Sequence, residues 1–482
     1  MNRQMVFYVT GKVVFIIGLL MLLPVIVALY YHEGSATLVP LFKSMGITLA
    51  CGLFLISRTP DNHSIYIREG IAITGLSWLL TIFFGAMPYI FSDAIPSIVD
   101  AFFESASGFT TTGSSILTNV EAMPRSMQFW RSFSHFIGGM GVLVFAIALL
   151  PKSSGENIHL MKSEMPGPSF EKVLSRVHEV ARVFYTLYAV LTVILFFILI
   201  FAGMTPFDAI IHSFGTAGTG GFSNYNSSIA SFHSSLIEMI IAAGMLIFGV
   251  NFTLYFYALR GQPKNLFKSE EFHWYLGIVA IAVAGLFFTT MHLYDGSLGT
   301  CLKDAIFTVS TIITTTGFGT VDFTQWPLIS QFIVLSLMFV GGCAGSTAGG
   351  LKVSRLLTLL KMFYKKIQQA INPKRITVIT YEGKPMNERA QNDIALYFLL
   401  YVFIFVTMVL LISLENLDFA TTIGCVAATF NNVGPGLGVA GPTSNFAEFT
   451  DFSKIVFSFG MIAGRLEILP LILLFAPSTW RS

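Results

Sequence analysis

Four short tracts rich in glycine and threonine recur along the chain with the donor set for oxygen-only cation coordination. They read SGFTTTGSS around Gly113, GTAGTGGFS around Gly220, STIITTTGFGT around Gly317 and ATFNNVGPGLG around Gly434. Glycine adopts the positive φ that lets successive peptide carbonyls face one way, a conformation that residues carrying a Cβ resist. A ring of such carbonyls replaces the hydration shell of an alkali cation. The hydroxyls of Thr112, Thr219 and Thr316 add oxygens to that set or brace the backbone behind it. With no carboxylate at the shared glycine, the chemistry suits a monovalent ion over calcium. The candidate ion-binding residues are therefore Thr111, Thr112 and Gly113; Gly218, Thr219 and Gly220; Thr315, Thr316 and Gly317; and Asn432, Val433 and Gly434. Asn432 and Val433 depart from the pattern, so the ring is imperfect. The run GTAGTGG leaves Gly220 and Gly221 both open as the second glycine, and Gly220 is the expected one.

Something must carry these tracts to one place. Upstream of each glycine an aspartate precedes a helix-compatible apolar run: Asp100, Asp208, Asp304 and Asp418 stand 13, 12, 13 and 16 residues before it. Aspartate is a good N-cap. Thirteen helical residues rise about 20 Å, short of the roughly 30 Å of hydrocarbon in a bilayer. Each helix is expected to enter from outside and stop part-way, aiming the negative end of its dipole at the membrane centre. The chain then returns without helical hydrogen bonds, which is tolerated at that depth only where protein or water lines it.

Composition agrees with a membrane setting. Of 482 residues 54% are hydrophobic and only 11% charged, against roughly 25% charged in a soluble domain, and the mean hydropathy is +0.72. A formal net charge of +2 offers nucleic acid no footprint. Apolar stretches of crossing length lie at 13–31, 40–56, 71–91, 133–150, 183–201, 236–259, 274–288, 332–360, 394–414 and 455–475. Placing both termini in the cytoplasm puts 22 of the 28 Lys and Arg residues on inner segments, as the positive-inside rule requires. The expected organisation is an N-terminal two-span extension, 1–68, followed by four repeats of span, half-helix and span at 69–152, 153–262, 263–366 and 367–482. The fold class is all-α integral membrane, with four pseudo-symmetric repeats around one pore. The four cysteines stand singly, without the spacing of a disulfide framework or a zinc site.

Over essentially all 482 residues the chain resembles the ion-conducting subunit of bacterial Trk-type potassium uptake systems, within the Trk, Ktr and HKT superfamily. The resemblance rests on the four tracts in order, the two extra N-terminal spans and the stretch GGCAGSTAGGLK at 341–352. It implies potassium as the transported ion and no covalently bound cofactor. It implies a bacterial inner-membrane location, a homodimer, and a cytosolic, nucleotide-binding, TrkA-like regulatory subunit. Such a partner would dock on the basic inner segments 152–182 and 352–389, whose charge is explained equally well by solvation and by attraction to anionic membrane lipids. It also implies that Gly341, Gly342, Gly345, Gly349 and Gly350 form a movable loop beneath the filter, where close helix packing through small residues is the plainer reading.

Arg465 lies well inside the last apolar stretch, where a charge costs at least a few kcal/mol unless it faces protein or water. Its expected place is the pore, restraining cations or pairing with carboxylates near the gate. Glu467 points to another helix face and is a poor partner for it. Gly436, Gly438 and Gly441 satisfy G-x-G-x-x-G but continue into Pro442 rather than a helix, so no nucleotide site is read there. Glu104 braces the first tract from behind or merely reaches an outer polar group, and His212 reads as a packing residue. Two rivals remain: a sodium- or proton-coupled symporter on the same scaffold, and a polytopic membrane enzyme. The enzyme would need clustered His, Asp or Glu inside the bilayer, whereas the acids here stand one per repeat at half-helix starts.

Overall fold

The computed structural model describes residues 1–62, 65–141, 177–375 and 377–480. Two antiparallel spans open the chain. Helices Arg3–Leu20 and Leu22–Tyr30 run on as one crossing of 28 residues, and Ser35–Ile56 returns beside it. They cross closely at Gly52, where a Cβ would lie 2.7 Å from the Phe15 nitrogen.

Four span, half-helix, span units follow. The first has Ile67–Phe91, Ile98–Phe109 and Arg125–Gly139; the second has Val177–Phe201, Pro206–Gly218 and Ser235–Phe248 with Phe252–Leu259. The third has Glu270–Thr290, Leu298–Ile313 and Leu328–Val340, then Val353–Ile371. The fourth has Glu388–Ile412, Phe419–Phe430 and Asp451–Arg465 with Leu469–Phe475. Among the described residues six helices are long and apolar enough to cross a membrane, or eight if each bent pair is one span. The expected span 133–150 is described only through residue 141; the rest of it, and most of the basic segment 152–182, lie outside the described residues.

The half-helices have 12, 13, 16 and 12 residues, short of a crossing as expected. Their capping differs from the sequence expectation. Ser97 and Thr205 are the N-caps of the first two, each accepting from the backbone N–H of the aspartate three residues on, Asp100 at 3.3 Å and Asp208 at 3.2 Å. Asp304 sits a full turn and more inside its helix. Only Asp418 caps by itself, accepting from Thr421 N–H at 2.9 Å, and the Thr421 hydrogen bonds hold its carboxyl below the usual range. A hydroxyl and a carboxylate serve equally well at an N-cap, and an aspartate in the first turn still complements the helix dipole.

The second spans of the last three repeats are broken rather than straight. The break is 88° at Gly249–Asn251 and 120° between Arg465 and Leu469, and in the third repeat the chain leaves helix from 341 to 352. The last span was expected to run unbroken from 455 to 475; Glu467 and Ile468, at φ 58° and 69°, turn it aside. Exposed Phe201, Ile281, Leu396 and Phe403 on the long helices supply the apolar belt that faces hydrocarbon.

Candidate functional site

All four half-helices end in the same way. Thr111, Thr219, Thr315 and Asn432 take left-handed φ values of 56°, 53°, 55° and 57°. The next residue then donates its N–H back into the helix: Thr112 to Ser107, Gly220 to Gly215, Thr316 to Thr311 and Val433 to Ala428, at 2.9, 2.8, 2.8 and 2.8 Å. This is Schellman-type closure, in which glycine is the usual left-handed residue. Here residues with a Cβ hold it four times over, at a cost of about 1–2 kcal/mol each. A glycine of positive φ follows at Gly113, Gly221, Gly317 and Gly434, with values of 84°, 74°, 84° and 103°.

The second repeat is therefore in a different register from the expected one. Its equivalent residues are Thr219, Gly220 and Gly221, while Gly218 is the last helical residue. The left-handed turn falls on Thr219, so Thr219 matches Thr111 and Thr315, and Gly220 stands where the first and third repeats carry Thr112 and Thr316. The Thr219 hydroxyl turns back to Gly218 O at 2.6 Å.

The four tracts close on one another in chain order. A Cβ added at Gly113 would overlap Gly220 O, one at Gly221 would overlap Thr316 O, and one at Gly317 would overlap Val433 O. One at Gly434 would lie 2.7 Å from Thr112 O, which completes the circuit. Each glycine is thus packed against the carbonyl that precedes the glycine of the next repeat, and there is room for no side chain.

Polar groups hold the ring from behind. Thr110 and Thr112 hydroxyls pair at 2.8 Å, as Thr314 and Thr316 do at 2.7 Å. Asn432 Nδ2 donates to Thr112 Oγ1 and Met461 O, both at 2.9 Å. His135 Nε2 accepts from Phe222 N–H at 3.2 Å, which leaves Nδ1 to donate to Gly108 O at 2.8 Å. Glu104, fully buried, accepts from Ser115 Oγ and Ile116 N–H at 3.0 Å and pairs with Arg131 Nε at 2.5 Å. Arg131 also donates to Ser223 O at 2.9 Å and lies 3.6 Å over the Phe222 ring. His212 Nδ1 donates to Asp208 O at 2.7 Å and Nε2 meets Ser223 Oγ at 3.0 Å, a packing role.

Below the ring lies the 341–352 loop. Gly349 N–H donates to Thr315 Oγ1 at 2.6 Å, and a Cβ there would come 2.6 Å from Asn431 O, so the loop touches the base of the ring. Gly341, Gly345 and Gly350 all have φ of 73°. Gly342 packs so closely that a Cβ would meet Ala348 Cβ at 2.7 Å. Arg465 Nη1 donates to Thr347 O at 2.7 Å while Nη2 reaches Gly138 O and Gly139 O at 2.6 and 2.7 Å, bridging loop and first repeat. Beside it is a cavity of about 60 Å³ lined by Trp78, Gly139, Gly349, Lys352 and Arg465 among others. Glu467 is paired with Arg355, not with Arg465.

A family model for TrkH, described as a cation transport protein, matches residues 41–482. The chain belongs to the TrkH family. It is 36% identical to the Trk system potassium uptake protein TrkH of Salmonella typhimurium and 35% identical to that of Escherichia coli K12, with both chains covered in full in each case. The crystal structure of the potassium transporter TrkH from Vibrio parahaemolyticus has the same fold, with a TM-score of 0.88 over all of both chains at 32% identity. Membership places this TrkH-family chain among transport proteins rather than enzymes.

Two residues of this TrkH-family site escape sequence reasoning. Arg131 and His135 brace the first two tracts, one by an ion pair and one by a neutral imidazole. A signal for Arg131 exists: it is one of the six Lys and Arg residues that the topology leaves outside the inner segments.

Proposed function

We propose that this chain admits potassium to the cell down its electrochemical gradient, through one pore encircled by the four tracts. The observation that carries the reading is the chain-order circuit of glycines and carbonyls. The contacts of the Thr112, Gly220, Thr316 and Val433 carbonyls with the four ring glycines support reading those carbonyls as one ring of ligands. Four such peptide oxygens, with the dipoles of four half-helices behind them, substitute for water around an alkali cation. The ion-binding set is then Thr111, Thr112 and Gly113, Thr219 to Gly221, Thr315 to Gly317, and Asn432 to Gly434. The 341–350 loop obstructs the path beneath this set, and Arg465 both holds the loop and repels cations there. The termini face the cytoplasm of a bacterial inner membrane, the molecule works as a homodimer, and a cytosolic nucleotide-binding partner moves the loop. The relatives of known name are potassium uptake proteins, which supports the choice of ion.

Gly317→Ser tests the filter, because its Cβ would overlap Val433 O at φ 84°. Reconstituted variant protein is expected to lose its preference for rubidium over sodium while still inserting into membranes. Unchanged uptake ratios would reject the assignment. Reversal potentials that follow the potassium gradient alone are expected; a dependence on sodium or pH would favour the coupled symporter.

A further inference from the structure

The loop has a second charged clamp, on its cytosolic side and opposite in sign to Arg465. Arg465 takes a carbonyl of the loop, that of Thr347. Glu271, the second residue of helix Glu270–Thr290 and 2% exposed, takes amides. Its Oε1 accepts from Ala344 N–H at 2.7 Å and from Ser354 N–H at 3.1 Å, one on each side of the loop's turn beneath the ring. One carboxylate oxygen thereby pins both shoulders of the segment that touches Thr315.

The other oxygen of Glu271 leads out of the membrane. Oε2 accepts from the Tyr381 hydroxyl at 3.1 Å. Tyr381 belongs to a small hairpin, Thr380–Tyr381 paired with Lys384–Pro385, whose turn residues Glu382 and Gly383 both have positive φ, 51° and 71°. That is the geometry of a tight two-residue hairpin loop. The hairpin is fastened to the helix that carries Glu271 and to the helix that follows the loop. Glu382 accepts from Ser269 Oγ at 2.8 Å and Glu271 N–H at 3.1 Å, at the start of Glu270–Thr290. Lys361, on Val353–Ile371, donates to Thr380 O at 2.7 Å and pairs with Glu270 at 2.5 Å. The most direct route from the hairpin to the loop is the Tyr381 hydroxyl and the Glu271 carboxylate, beside the Lys361 tie to the helix that follows the loop.

We propose that Glu271 is a positioning residue that holds the intramembrane loop under the filter, and that the 380–385 hairpin is the lever by which the cytosolic face moves it. This rests on the loop being the obstruction. A buried carboxylate accepting two amides is a strong, directional restraint, and a hairpin outside the bilayer is the part of this linkage that a soluble partner or a membrane surface can reach.

The test uses the full chain in liposomes without any partner, with rubidium and sodium uptake as readouts. Glu271→Ala is expected to raise rubidium uptake about fivefold or more, with the rubidium-to-sodium ratio of wild type, because the ring is untouched. Glu271→Gln, which keeps an acceptor oxygen for the two amides, is expected to restore the low rate. Tyr381→Phe removes only a hydroxyl outside the bilayer and is expected to raise uptake by a smaller factor; it keeps the test decisive if Glu271→Ala fails to fold. Deletion of residues 343–350 runs alongside. An unchanged or lowered rate in Glu271→Ala and Tyr381→Phe beside a raised rate in the deletion overturns the clamp alone. Wild-type rates in all of them overturn the loop's role as obstruction, and the clamp with it.

Discussion

Thr111, Thr219, Thr315 and Asn432 carry a left-handed turn that glycine would make at less cost, so the strain is repeated rather than accidental. What it achieves is the back-donation from the following residue, which fixes the carbonyl immediately before each ring glycine. The ring glycines themselves are irreplaceable for a different reason, the neighbour's oxygen in the place of their Cβ. Gly221→Ala is therefore expected to abolish rubidium-over-sodium discrimination, since its Cβ would overlap Thr316 O. Gly319→Ala is expected to retain it, because its nearest foreign atom would be 3.4 Å away at Pro442 and its φ is ordinary. Uptake ratios for the two variants check the pair. The register of the second tract was not legible in sequence, since Gly220 and Gly221 adjoin and only the position of the turn separates them. Equally hidden was the Glu104–Arg131 pair, 27 residues apart and joined only by folding. Removing one partner leaves a buried charge, so Arg131→Met is expected to cost about 3–5 kcal/mol. Replacing both, Glu104→Gln with Arg131→Met, should recover much of it, and thermal unfolding in detergent measures both.

At the scale of elements the half-helices were legible because their length is bounded. A run of 12 to 16 residues between two longer apolar stretches cannot cross, and a Gly-Thr tract after it cannot continue as helix. The breaks in the second spans were legible only in the third repeat, where five glycines crowd into 341–350. At Glu467–Ile468 the chain turns by 120° with no glycine at the bend, held by the Glu467–Arg355 pair and by the burial of Ile468. Such a bend is a tertiary outcome, and local composition does not announce it. It also carries Arg465 to the end of a half-span, where its guanidinium meets three carbonyls from two other elements. Arg465→Ala is accordingly expected to raise cation uptake in partner-free liposomes without altering the rubidium-to-sodium ratio, because it frees the loop from below and leaves the ring intact.

For the molecule as a whole, the proposed orientation rests on how Lys and Arg divide between the two sides. The six Lys and Arg residues that topology leaves away from the inner segments are each held by a specific group. Lys43 lies 4.3 Å from the Phe91 ring centroid and Arg125 4.3 Å from that of Tyr31. Arg131 pairs with Glu104, Lys303 with Glu238 at 2.5 Å, Lys454 with Asp100 at 2.7 Å, and Arg465 with loop carbonyls. Two of these pairs knit neighbouring repeats at the outer rim, Lys303 joining the third to the second and Lys454 the fourth to the first. The orientation proposed above expects the Lys384 hairpin in the cytosol and the Ser297 turn outside. Both positions are exposed, so cysteines placed there report directly. In a Cys51→Ser background, Ser297→Cys in intact cells is expected to react with a membrane-impermeant thiol reagent. Lys384→Cys should react only after the inner face is opened. The reverse pattern would invert the molecule, putting the half-helices' entry on the cytosolic side and the hairpin lever out of reach of any cytosolic partner.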